Sequence, residues 1–163
     1  SDIGFKDEII EDGKSLHENS LIKAKYIKSK YGMNCFADDT GLEVQSLNNE
    51  PGIYSSRYAG YPINPNNNIK KLLENLYRFN NKNARFRTVI SLIISENIFS
   101  FEGVIKGEIT HEIRGNSGFG YDPVFIPSGY NKTFAELSLK EKNSISHRSI
   151  AINKMMNFLR KNY

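Results

Sequence analysis

Two β-rich runs, Arg85 to Ile94 and Ile98 to Ile109, are separated only by Ser95-Glu96-Asn97. So short a link can join antiparallel strands but not parallel ones, which need a crossover of about a dozen residues or more. A long hairpin is therefore predicted, and the other elements must be arranged around it. Upstream, Ser15-Leu16-His17-Glu18 has capping-box spacing, and Leu21, Ala24, Ile27 and Tyr31 recur at helical intervals until Gly32, a natural helix-ending residue. A second helix is predicted after the Asn66-Asn67-Asn68 cap region, with Ile69, Leu72, Leu73, Leu76 and Phe79 on one face. A last one follows Ser144 or Ser146, with Ala151, Ile152, Met155, Met156 and Leu159 turned to the core. Asn34 to Ala37 reads as a short buried strand and Leu42 to Leu47 as its resumption, which puts Asp38-Asp39-Thr40-Gly41 at a strand break. Between hairpin and last helix, Arg114 to Tyr130 is a Gly- and Pro-rich loop with one apolar run at Val124 to Ile126. Strands joined both by helices and by a hairpin imply an α/β fold, a mixed sheet flanked by helices, rather than a purely parallel sheet.

The 163 residues suit one domain with a single core. The longest nearly apolar run, Val89 to Ile94, falls far short of the roughly 20 residues of a bilayer span, and no apolar leader opens the chain. Membrane and secretory roles are therefore not expected. A lone Cys35 cannot form an intrachain disulfide, which points to a reducing cytoplasm. That thiol and His17, His111 and His147 have no zinc-ligand spacing, so any metal here must be a hard cation bound by oxygen. Charge is divided along the chain: 10 acids face 6 bases up to Glu50, and 8 acids face 16 bases from Pro51 onward. Such segregation suits a cation held by one segment and an anion faced by the other, or two ordinarily solvated surfaces. No cluster of basic residues interleaved with aromatics marks a nucleic-acid surface.

Three places carry candidate chemistry. Asp38 and Asp39 are adjacent carboxylates followed by Gly41, either a solvated turn or a Mg²⁺ site, with Glu18 as a helix cap or a further oxygen donor. Gly118-Phe119-Gly120 frames an aromatic with two glycines, so its ring can fold into the core or project as a platform for a base. Glu141 to Arg148 gathers donors at a helix start, an ordinary polar N-terminus or a wall facing electron-rich atoms.

Taken together, Phe36-Ala37-Asp38-Asp39-Thr40-Gly41-Leu42-Glu43-Val44, Pro51-Gly52-Ile53-Tyr54-Ser55-Ser56-Arg57-Tyr58-Ala59-Gly60, Gly118 to Pro123, and Thr133-Phe134-Ala135-Glu136 with Ile145-Ser146-His147-Arg148 resemble the inosine/xanthosine triphosphate pyrophosphatase family. The match extends back through Glu18-Asn19-Ser20-Leu21-Ile22-Lys23-Ala24 to Asp2-Ile3-Gly4-Phe5. The resemblance implies Mg²⁺-dependent hydrolysis of ITP, dITP and XTP to monophosphate and pyrophosphate by a cytoplasmic homodimer. By the same resemblance Asp39 is the catalytic carboxylate that orients or deprotonates the attacking water, and Glu18, Asp38 and Asp39 hold the metal. Lys23 meets the triphosphate; Thr40, Gly120 and Tyr121 belong to the substrate site, and Phe119 stacks on the base. Asp122, Lys142, Ser146, His147 and Arg148 line its edge. A pyrophosphatase of modified pyrimidine triphosphates and a non-catalytic nucleotide-binding module are the alternatives. Two departures are expected to matter: the family's first strand and its Asn/Lys-bearing turn precede Ser1, making 1–163 N-terminally incomplete relative to the family, and Ser56 stands where the family commonly has Ala.

Overall fold

The computed structural model describes residues 9–163, so the Asp2 to Phe5 match lies outside the described residues. Strand β2 (Asn83–Ile94) turns into β3 (Asn97–Ile109), and the register from Asn83↔Glu108 to Ile94↔Asn97 forms the antiparallel hairpin the sequence implies. Strand β1 (Cys35–Val44) pairs with the other side of β2, and the short β4 (Phe125–Pro127) pairs with β3. The order is β1-β2-β3-β4, every pairing is antiparallel, and β1 lies at an edge among the described residues.

The strand break expected at Asp38-Asp39-Thr40-Gly41 is absent. These residues stay in register with Ile90, Val89, Thr88 and Arg87. The ladder survives a polar run because its side chains have partners: the Thr40 and Thr88 hydroxyls lie 2.7 Å apart, and each carboxylate meets a cation. Beyond Val44 the chain leaves the sheet in a 3-10 turn at Gln45–Leu47 instead of continuing as strand.

Helix α1 (Leu16–Tyr31) starts where the Ser15 Oγ accepts the Glu18 N–H at 3.1 Å and stops at Gly32, whose φ of 68° favours glycine. It packs on β1 and β2, and its buried stripe is Leu16, Asn19, Ser20 and Ala24, not the expected Leu21, Ile27 and Tyr31. The stripe is partly polar because the sheet beneath it is polar; the Ser20 and Ser91 hydroxyls meet there at 2.7 Å. Helix α2 (Pro65–Leu76) is capped by Asn64 and buries Ile69, Leu72 and Leu76, leaving Phe79 exposed. The expected last helix forms with Ser146 as its cap, and a short helix that the sequence reading did not include precedes it. Helix α3 (Leu139–Ile145) has its own capping box from Ser138 and Glu141, and Ser146 in extended conformation ends it and caps α4 (His147–Asn162).

Successive strand residues face opposite sides of a sheet. Asp39 and Ser91 face α1, whereas Ile90 and Leu92 face α4 and pack with Ala151 and Met155. The larger core lies on the α4 side of the sheet, where Leu42, Val44 and Phe86 meet α2 and the aromatic pair Phe125 and Phe134. No described helix is long and apolar enough to cross a membrane.

The first turn of α4 approaches β3 backbone to backbone at Gly103, where an added Cβ would lie 2.0 Å from the His147 carbonyl oxygen and 2.6 Å from the Ala151 nitrogen. Neither neighbour is a flexible side-chain end that can yield. Gly103→Ala should therefore lower stability by at least about 1–3 kcal/mol, the usual range for overpacking, measured as a shift in the chemical denaturation midpoint.

Candidate active site

Adjacent carboxylates on a strand must point to opposite faces, and β1 uses that rule to serve both helices. Asp39 faces α1, where its Oδ1 accepts from the Lys23 Nζ at 2.9 Å and its Oδ2 from the Asn19 Nδ2 at 3.3 Å. Asp38 faces α4, where its Oδ2 accepts from the Arg148 Nη2 at 3.2 Å and Nε at 3.3 Å. Both carboxylates nevertheless line one cleft of about 440 Å³.

Burial raises the Asp39 carboxyl above its ordinary range, despite the hydrogen bonds and charge of Lys23 and Asn19. For Lys23 burial acts downward, but Asp39 and Glu11 together outweigh it and the ammonium is raised. The two directions are compatible: Lys23 has two carboxylates, with Glu11 at 3.1 Å, whereas Asp39 has one cation and also faces the Glu11 charge. The result is a water-shielded acid and base poised at one end of the cleft.

At the other end, Gly118 and Gly120 take φ of 82° and 58°, and the loop between them projects Phe119 with 62% of its surface exposed. Buried Asp122 fixes that loop, its Oδ2 accepting the Phe119 N–H at 2.7 Å and the Lys142 ammonium. A Cβ on Gly118 would collide with the same oxygen, so this turn requires glycine. Two cations lie by the ring, the Lys142 Nζ at 4.9 Å and the Arg148 guanidinium carbon at 5.7 Å from its centroid.

His147 is 4% exposed and stacks on Phe86 at 4.7 Å. Its Nδ1 is buried without a hydrogen-bond partner among the described residues, yet the residue lines the cleft. Thr40, Gly120 and Tyr121 line it too, and the Tyr121 hydroxyl donates to the Ser55 carbonyl at 3.0 Å, tying the Phe119 loop to the segment after β1. Burial raises that phenol.

Two residues named from the sequence are placed elsewhere. The Glu18 carboxylate accepts the Lys14 N–H at 2.7 Å and caps α1, and Ser146 spends its hydroxyl on the Ser149 N–H at the start of α4. Among the described residues no three His, Cys, Asp or Glu converge as a ready-made metal site. Sequence reading missed Asn19, Ser55 and Asn68. Asn68 lines the cleft while its amide bonds the Ser55 and Ser56 carbonyls and the Ala59 N–H. Asn19 had one available signal, its position four residues before Lys23 on the same helix face.

Fold and cleft together define an α/β protein whose site pairs an acid and base at one end with an exposed ring and two cations at the other, a shape for a small ligand with an anionic end and a planar end. Residues 1–158 match the Ham1 family, and the chain belongs to it. A Christiangramia forsetii protein called dITP/XTP pyrophosphatase is 50% identical over 161 residues, 99% of this chain and 85% of that one. A Porphyromonas gingivalis protein of the same name is 48% identical over 159 residues, 97% of this chain and 82% of its own. The Staphylococcus aureus Ham1 structure superposes with a TM-score of 0.92 at 40% identity over 96% of this chain and 82% of that one. A Mycobacterium abscessus structure described as a nucleoside-triphosphatase / dITP/XTP pyrophosphatase gives 0.81 at 37% identity, covering 97% of this chain and 82% of its own.

The His147 environment makes a pH prediction. Burial first, then the charges of Arg148 and Lys142, push its imidazole from 6.5 down to about 3. Between these values the unfolded chain binds a proton that the folded protein refuses, so stability falls as pH falls through 6.5 towards 3. The loss approaches about 1.4 kcal/mol per pH unit. Denaturation series from pH 7 to 4 should show a shallower decline for His147→Phe than for the unmodified chain.

Proposed function

We propose that this chain hydrolyses the non-standard purine triphosphates ITP, dITP and XTP to monophosphate and pyrophosphate, cleansing the nucleotide pool. The observation that carries the reading is that the Asp39–Lys23 pair and the exposed Phe119 ring line the same cleft. The dITP/XTP pyrophosphatase name of the relatives supports the same substrate class.

At the anionic end, a triphosphate competes with Asp39 for Lys23, and the carboxylate so released accepts a hydrogen bond from the attacking water and aligns it. Its raised proton affinity makes it a better proton acceptor than an ordinary aspartate. The donor set fits Mg²⁺, a hard cation that takes one or two carboxylates together with phosphate oxygens, and Asp38 and Asp39 are the residues that would hold it. When bound, the ion would neutralise charge on the phosphate oxygens. Glu18 belongs to that set only after leaving Lys14.

At the planar end, Phe119 offers its ring to a purine, and His147 and the Arg148 guanidinium, which line the cleft, are the candidate edge contacts. Arg148 can donate to the 6-carbonyl of hypoxanthine or xanthine; adenine presents an amino donor there and leaves the guanidinium unpaired, which supports discrimination. A cytoplasmic homodimer accompanies this reading, as the family resemblance implies.

Asp39→Asn keeps shape but removes charge, and kcat for ITP should fall by about 10² to 10³ with KM little changed; an unchanged kcat would refute the role. Phe119→Ala should weaken ITP, GTP and ATP by similar factors, worth about 1–3 kcal/mol, because every base can use a ring face. Both are read by steady-state pyrophosphate release, and a loss confined to one nucleotide would contradict the stacking role.

A further inference from the structure

We propose that Asn19 is a positioning residue for the reaction, the group that keeps the Asp39 carboxylate in its reactive plane. The inference rests on the hydrolytic reading above. Both Asp39 oxygens are held from α1, Oδ1 by Lys23 and Oδ2 by Asn19. The two holds differ in kind. Lys23 is a cation that lines the cleft and is shared with Glu11, so an arriving polyphosphate draws it away from the carboxylate. Asn19 is neutral and completely buried, and a phosphate has little to attract it with.

Asn19 is also locked at its other end. Its Oδ1 accepts the Gly13 N–H at 2.9 Å. Turning the amide over would set its NH₂ against that N–H donor and its oxygen against the Asp39 carboxylate, so one orientation alone satisfies both neighbours. Gly13 makes the arrangement possible, since a Cβ there would lie 2.6 Å from the Asn19 Oδ1 and 2.8 Å from the Glu18 Cβ. The line Gly13 N–H, Asn19 amide, Asp39 Oδ2 thus ties the turn before α1 to β1. Once Lys23 turns to substrate, this link is the hold from α1 that remains on the carboxylate.

The test compares ITP hydrolysis by the unmodified chain, Asn19→Asp, Asn19→Leu and Gly13→Ala. Asn19→Asp keeps an acceptor for the Gly13 N–H but sets an acceptor where Asp39 needs a donor, and Asn19→Leu removes both bonds. If Asn19 positions Asp39, both variants lose about 10- to 100-fold in kcat, the usual effect of removing an orienting partner, with KM little changed. Gly13→Ala loses kcat in the same direction, because its methyl displaces the amide without touching Asp39. If Asn19 only anchors the turn before α1, Asn19→Asp retains full kcat while Asn19→Leu does not, and the proposal is overturned. Full kcat in Gly13→Ala overturns it as well, and that variant decides alone should circular dichroism show the Asn19 variants unfolded. An unmodified chain inactive on ITP would instead count against the hydrolytic reading.

Discussion

The pleat of β1 at Asp38 and Asp39 is the constraint on which the site depends. Period-two alternation sends one carboxylate to α1 and the other to α4, so the helix that carries Lys23 and the helix that carries Arg148 are both referenced to the same two residues. The pair faces two helices and still lines one cleft. The ion pairs contribute little to stability where exposed; the Asp38–Arg148 side chains are 35% and 39% exposed. Stability comes from Leu42, Val44, Phe86 and the aromatic cluster below, and in the proposed reading this leaves the charged residues to exchange partners with substrate.

That exchange is built into the electrostatics. Each carboxylate is matched by a cation that a polyanion also wants, and the Arg148 guanidinium reaches from Asp38 and Thr40 to the face of Phe119. One side chain therefore bridges the anionic and planar ends of the cleft, and a ligand filling both ends must rearrange it. The Asp122–Lys142 pair is different in character. Asp122 is 2% exposed and also holds the Phe119 N–H, so that pair fixes the platform instead of yielding to substrate.

What could be read along the sequence was what local chemistry decides. The hairpin follows from alternation and a short turn, and the α1 ends follow from Ser15 and Gly32. The polar run Asp38 to Gly41 looked like a break because the partners that let it remain strand, Arg148, Lys23 and Thr88, lie 16 to 110 residues away. The α1 stripe was misjudged for a related reason: apolar periodicity cannot reveal a buried face made of Asn19 and Ser20, whose burial is justified only by Asp39 and Ser91 on another element. In the site, Phe119, Lys23 and Arg148 were legible from the motif resemblance. Ser55 and Asn68 were not, since they act through backbone carbonyls brought together only by the fold.

The claim that one cleft binds base and phosphates so that water attacks between monophosphate and pyrophosphate is tested most directly by the products. The chain, supplied with Mg²⁺ and ITP, should release inosine monophosphate and pyrophosphate in equal amounts from the first turnovers, as followed by ³¹P NMR, and should do so faster than it converts ATP. Inosine diphosphate and orthophosphate as first products, or equal rates on ITP and ATP, would contradict the account.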